Sequence, residues 1–309
     1  MNYPVFDGHC DTALKFFHRG IPTFGEHDAH VTLQGVKSLP RYAQFFAFCT
    51  VCYPCGLTPE QLFLQGYADF MRQLETHSDH FALCTDRGGL ERAWRSGKCA
   101  AFLALEGAEA IGCDPGRLEE AAAMGVRMVS LTWNYDNALS GTNVTGTGLT
   151  AQGREFFRRA QRLGMIVDVS HISDKAFFAL CELAEAPIVA SHSNSRTLCG
   201  HPRNLTDDQF RCLRDLGGTV GLNLYAGFLR QDAPATLEDV RRHLEHFLSM
   251  EGEHTVALGA DLDGISQAPE GFSGVEDYRH LFAHLESCGY APSLLESLGA
   301  GNLKRMLKA

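Results

Sequence analysis

Apolar runs and helix-period segments alternate along the whole chain. Candidate strands cover 3–8 (YPVFDG), 44–50 (QFFAFCT), 99–105 (CAAFLAL), 127–132 (RMVSLT), 165–170 (MIVDVS), 187–191 (PIVAS), 218–224 (GTVGLNL) and 255–260 (TVALGA). Most are continuous apolar stretches, as expected of parallel strands buried on both faces. Helical segments with start signals lie between them. Thr58-Pro59-Glu60-Gln61 reads as a capping box with proline at the first helical position, and Thr206 with Gln209 makes a second box. Ser173 caps the helix that carries Lys175 and Phe178. Eight strands, each followed by a helix, predict an α/β architecture, a TIM-like (β/α)8 barrel running as a single domain over residues 1–309. No repeat, low-complexity tract or linker divides it. Segment 134–150, NYDNALSGTNVTGTGLT, is loop-like and follows the fourth predicted strand, so it is expected to shape a site mouth.

Composition narrows the partners. Hydrophobic residues make up 45% and charged residues 21%, an ordinary globular balance. A net charge of −10 argues against nucleic acid, whose phosphates need a basic footprint. No run approaches the roughly 18 apolar residues of a membrane span. The start, MNYPVFDGHCDT, lacks a basic segment followed by a long apolar one, and no apolar tail follows GNLKRMLKA, so a cytoplasmic protein is expected. Eleven cysteines without paired spacing fit a reducing compartment and mostly free thiols.

Barrels of this kind place their chemistry at the C-terminal ends of the strands. His9 and Asp11 lie at the end of the first predicted strand and, one residue apart, share a face. Glu106 follows the third, Trp133 and Asn134 the fourth, and His171 ends the fifth. His192 ends the sixth, Tyr225 follows the seventh, and Asp261 ends the eighth. Three histidines and three carboxylates thus converge on one rim. A lone His–Asp pair at a strand end is often only a hydrogen-bonded pair, but six such groups point to a metal site. Imidazole with carboxylate suits zinc, with manganese, cobalt or iron as the alternatives in other contexts. The set exceeds what one open zinc site needs, and two ions roughly 3.5–4 Å apart, sharing Glu106 and a water, would use it. Hydroxide held between two cations makes hydrolysis the expected chemistry.

The motifs DGHCDT, ALEGAE, LTWN, GMIVDVSHIS, PIVASHSNSR, RNLTDD and GADLDG, in this order, resemble the membrane or renal dipeptidase family, the M19 zinc dipeptidases, over almost the whole chain. The resemblance implies a barrel of metal-dependent hydrolase type with two zinc ions per chain. By it, His9 and Asp11 bind one ion, His171 and His192 the other, and Glu106 bridges them. Asp261 would shuttle a proton from the bridging water, and Arg203, in HPRN, would grip the substrate carboxylate. The implied reaction is cleavage of a dipeptide, with tolerance of a D-residue on the C-terminal side, by a homodimer. Animal members carry a histidine where Trp133 stands; LTWN is typical of a bacterial branch, and altered substrate positioning is the expectation. Secretion signals and lipid anchors of the animal enzymes are missing too, which fits a bacterial-type cytoplasmic member.

Other residues have plainer readings. Cys49, Cys52 and Cys55 in CTVCYPC would need a fourth ligand to hold a metal, and none lies nearby in sequence, so free loop thiols are expected. Asp168 should face away from the metals, and Glu109 should be a solvated or helix-terminal charge. Asp263 competes with Asp261, which the motif favours. His243 and His246 sit in charged helical stretches and read as surface residues, while Tyr225 either lines the pocket or packs. Two other functions remain open: another binuclear hydrolase, such as an amidohydrolase or phosphoesterase, and a non-catalytic metal-dependent peptide-binding protein. The motif context of Arg203 and the lack of a basic patch count against the first, the intact ligand set against the second.

Overall fold

The computed structural model describes residues 3–15, 17, 20, 24, 29–53 and 55–309. Its strands are β1 (Val5–Cys10), β2 (Tyr42–Phe48), β3 (Phe81–Leu83), β4 (Cys99–Leu105), β5 (Val126–Ser130), β6 (Ile166–Asp168), β7 (Val189–Ala190), β8 (Thr219–Leu222) and β9 (Val256–Leu258). Neighbours pair in parallel in the order β2-β1-β9-β8-β7-β6-β5-β4, and β2 pairs with β4 to close an eight-stranded barrel. The short β3, absent from the sequence-based expectation, pairs with Cys99–Ala101 of β4. β5 takes over along β4 from Leu103. Three residues, with Leu83 exposed, are too few to leave a periodic signal.

The first strand runs two residues further than expected, so His9 and Cys10 belong to it. β4 matches its predicted span of 99–105, and the others fall where predicted but end one or two residues earlier, because the chain leaves the ladder before its apolar run stops. The helix starts behave as the capping residues dictate. Thr58 and Thr206 form complete capping boxes with Gln61 and Gln209, and Ser173 Oγ accepts from the Ala176 amide. Helix 59–76 buries Phe63 and Phe70 against Phe48, and Phe70 against Phe46, on the outer face of β2.

Alternation divides the core into two clusters. Ala43, Phe45 and Ala47 of β2 and Ala100, Phe102 and Ala104 of β4 join Phe6, Met128, Ile166, Val189 and Ala257 in the smaller cluster, inside the barrel. Phe6, Phe45 and Phe102 meet there at centroid distances of 5.2–5.5 Å. The C-terminal residues Ala300, Leu303 and Leu307 belong to the same cluster and cap the barrel floor. Above this packing the strands crowd together. A methyl group on Gly221 or Gly259 would sit 2.0 or 1.7 Å from the Ser191 carbonyl oxygen, so only glycine admits that backbone to the barrel centre. Ser191 immediately precedes His192, and the close approach fixes where that imidazole starts.

Candidate metal centre and active site

Strand register brings the predicted ligands together. The Asp261 amide donates to His9 O (3.2 Å) and the Asp11 amide to Leu262 O (2.9 Å), so β1 and the extension of β9 deliver three site residues side by side. The Glu106 amide donates to Phe48 O (3.2 Å), which sets Glu106 level with the end of β2. His171 and Asp261 have φ of 69° and 63°, left-handed conformations that L-residues adopt at a cost of about 1–3 kcal/mol. The surrounding fold holds both, and in each case the side chain turns toward the rim.

His9, Asp11, Glu106, His171 and His192 are all buried. Glu106 Oε1 lies 2.9 Å from His171 Nε2 and 3.5 Å from both His9 Nε2 and His192 Nε2. His171 Nε2 and His192 Nε2 are 2.9 Å apart, and His9 Nε2 is 3.6 Å from Asp11 Oδ2. Among the described residues, three groups of histidines and carboxylates alone have metal-ligating geometry: His9–Asp11–Glu106 and Glu106–His171–His192, which share the glutamate, and His9–Asp168–His192. His9 Nε2 is buried without a hydrogen-bond partner, a costly state for a ring nitrogen unless a cation uses its lone pair. The donor set therefore fits divalent metal.

A supporting layer orients the imidazoles. His171 Nδ1 bonds the Asn134 amide oxygen at 2.8 Å, which requires Nδ1 to carry the proton and frees Nε2. Ser191 Oγ donates to Asp168 Oδ2 (2.6 Å) and lies 2.7 Å from His192 Nδ1, so it accepts from that ring and frees its Nε2 likewise. Burial pushes His171 down to about 4 and His192 well below its ordinary value, keeping both rings neutral, the form that ligates. Burial opposes charge on His9 too, but Glu106 and Asp11 outweigh it and raise that ring.

Asp261 and Asp263 separate cleanly. Asp261 Oδ1 lies 3.9 Å from His9 Nε2, and Oδ2 accepts from Asn223 Nδ2 at 3.0 Å. Burial, helped by Asp11 and Glu106 against the pull of His9, pushes its carboxyl up to about 8. Asp263 instead accepts from Thr12 Oγ1 (2.7 Å), Lys15 Nζ (3.0 Å) and the His30 amide (2.8 Å), tying down the segment after β1.

These groups open into a cavity of about 1190 Å³ whose wall includes Trp133, Arg203 and Tyr225. Tyr225 therefore lines the cavity while also packing edge-on against Phe228. Arg203 is 7% exposed and lies 5.7 Å from the Phe228 ring. Among the described residues its guanidinium makes one hydrogen bond, a long one from Nη2 to His192 O at 3.5 Å, and no carboxylate pairs with it; the backbone amide donates separately to His201 Nδ1 (3.2 Å). Burial pulls its pKa down, against Asp261 and Glu106.

Four expectations are corrected. Cys49 and Cys52 form a disulfide rather than remaining free thiols, while Cys55 is free and exposed. Asp168 does not turn away from the site. β6 ends at Asp168, so strand alternation no longer governs His171, and the buried carboxylate braces His192 through Ser191. Glu109 keeps the helix-terminal place expected of it, in the first turn of the short 3-10 helix Ala108–Ile111, but it is half-buried rather than solvated, accepts from Asn137 Nδ2 (2.9 Å), and is raised by burial. His243 is 1% exposed, accepting from the Ser195 amide (3.0 Å) and bonding Leu229 O (3.1 Å). His246 is half-buried against Asp207 at 2.8 Å. Sequence reasoning also missed the roles of Asn134, Ser191 and Asn223, although each adjoins or closely follows a predicted strand end.

A parallel barrel with candidate metal ligands converging on its C-terminal rim is the architecture of a metal-dependent hydrolase. The chain belongs to the membrane dipeptidase family, peptidase family M19, whose sequence model matches residues 1–309, and it is a metallo-dipeptidase by that membership. It is similar to a metallopeptidase from Rhodobacter sphaeroides liganded with a phosphinate mimic of the dipeptide L-Ala-D-Ala, at 28% identity, 98% of both chains and a TM-score of 0.90. A second solved structure, a dipeptidase and metallopeptidase of family M19, shares 28% identity over 99% of this chain and 98% of its own, with a TM-score of 0.91. An uncharacterized Klebsiella pneumoniae protein from the pqqA 5′ region is 37% identical over 77% of this chain and 92% of its own length. Among the described residues, no helix is long and apolar enough to cross a membrane.

Proposed function

We propose that the chain is a two-zinc dipeptidase that accepts dipeptides with a D-residue at the C-terminal position. The observation that carries this reading is the pair of buried candidate ligand groups sharing Glu106 beside a buried guanidinium that, among the described residues, has no carboxylate partner. His9 and Asp11 would hold one zinc, His171 and His192 the other, and Glu106 would bridge them. Zinc bound there supplies a Lewis acid for the carbonyl and a water acidic enough to react near neutral pH.

The chain's own groups then have distinct tasks. Arg203 binds the substrate carboxylate with its two-pronged guanidinium and so fixes the scissile bond close to the C-terminus. Asp261, 3.9 Å from His9 Nε2 and held by Asn223, takes a proton at Oδ1 and passes it to the leaving amine. Trp133 and Tyr225 shape the wall that receives the substrate, and the indole offers a donor but no basic nitrogen. Support for the D-residue comes from the L-Ala-D-Ala mimic bound by the Rhodobacter relative.

Assaying L-L, L-D and D-L dipeptides with zinc-reconstituted protein, alongside elemental analysis, tests the reading. Two zinc ions per chain and turnover of L-L and L-D substrates are expected. A stoichiometry that stays at one, or turnover of no dipeptide, would overturn it.

A further inference from the structure

The parallel register of β2 and β4 pairs Phe48 with Leu105, so the next residues, Cys49 and Glu106, emerge side by side on the rim. Cys52 returns to Cys49 within a short turn, with a Cα–Cα distance of 5.7 Å. One sulfur of each cysteine and one Glu106 oxygen lie within 4.8 Å of one another. Cys49 is buried, whereas Cys52 is half-buried and lines the cavity, the side from which a small reductant would approach. The carboxylate partner absent from the local sequence is thus supplied from another strand.

We propose that Cys49 and Cys52, once reduced, form with Glu106 a thiolate-rich cation site beside the histidine ligands. It would take soft divalent ions of the zinc and cadmium class, and the oxidation state of the pair would control how many cations the rim holds. This rests on the reading of Glu106 as a metal ligand. In the disulfide state the sulfurs are bonded to each other and carry no negative charge. A small dithiol donates an electron pair that cleaves the S–S bond, its two protons pass to the cysteine sulfurs, and it closes to its own cyclic disulfide. Cation binding then releases both thiol protons to water, since the thiolate is the ligand. Thiolate sulfur prefers zinc or cadmium to harder ions. Two sulfurs and one carboxylate oxygen give three donors, leaving the cavity side for a water or exogenous ligand.

Cadmium titration of the metal-free full-length protein tests the proposal. One portion keeps the disulfide; the other is reduced with a dithiol, which is removed under anaerobic conditions before titration. The reduced protein should bind one cadmium ion per chain more than the oxidised protein and should gain thiolate-to-cadmium charge-transfer absorbance. The double variant Cys49→Ser/Cys52→Ser should lose the increment and the absorbance, while Cys55→Ser should keep both. Equal uptake without the absorbance in reduced wild type would overturn the proposal, as would absorbance surviving in the double variant. Failure of the histidine ligands to load in oxidised protein would count against the two-zinc reading, and the thiolate band would still decide the cysteine site.

Discussion

Replacing Arg203 with leucine isolates the contact proposed to make the enzyme a dipeptidase. Arg203 is 7% exposed, and among the described residues its guanidinium makes one hydrogen bond, the 3.5 Å contact to His192 O, so in the free protein it is a desolvated charge with little return. Leucine keeps much of the volume and removes that charge, and thermal stability should therefore hold or rise. Substrate binding should suffer, because the incoming carboxylate would enter a buried wall without its partner. Losing one side of such a charged pair costs about 2–5 kcal/mol, or roughly thirty-fold to several thousand-fold in kcat/KM. The assay compares a dipeptide with its C-terminal amide on wild type and Arg203→Leu. Wild type should strongly prefer the acid, and the variant should lose activity on the acid but little more on the amide. That double cycle assigns the loss to the carboxylate contact. Equal losses on both substrates, or a large fall in melting temperature, would refute the reasoning and make Arg203 structural.

Asp261→Asn should retain metal and lose roughly 10²–10⁴-fold in kcat, whereas Asp263→Asn should chiefly lower the melting temperature, because Asp263 anchors Thr12, Lys15 and His30. Kinetics and thermal melts on both variants check this assignment. Glu106→Gln should lower metal occupancy at both histidine groups together, read by elemental analysis, because a neutral amide bridges two cations poorly. His243, held down to about 4 by burial, is neutral in the folded protein while the unfolded residue titrates near its ordinary value of about 6.5. Its contribution is therefore complete above about pH 6.5 and is lost as pH falls toward 4, by up to about 3 kcal/mol. Urea melts of the metal-loaded protein at pH 7.5 and 5 should show a smaller drop in His243→Gln than in wild type.

The candidate site was legible because each candidate ligand is a polar residue at or just past a strand's end: His9 near the end of β1, Glu106 after β4, His171 and His192 just beyond β6 and β7. Period-2 patterning and the barrel rule together place such residues on one rim without any knowledge of contacts. What stayed hidden depended on the third dimension. The register that sets Cys49 beside Glu106 joins strands separated by the long helix 59–76, β3 and helix 87–95, so no local spacing reveals the neighbour. Asp168 was misjudged because alternation was carried past the end of a three-residue strand. His243 was readable after all. Val240, His243, Leu244 and Phe247 form one helical stripe, all buried, but the surrounding charges drew attention away from it.

The barrel floor imposes an order on how this chain comes together. β1 cannot complete its pairing until β9, some 250 residues later, has been made, and the inner layer stays open below until Leu303 and Leu307 arrive. The Arg87 amide even waits for the carbonyl of Lys308. Such long-range closure slows folding and prolongs the exposure of Phe6, Phe45 and Phe102 during synthesis. A nascent chain interrupted before residue 300 would thus present an apolar half-barrel with unpaired strand edges, and the last turn of helix acts as the latch that ends this vulnerable interval.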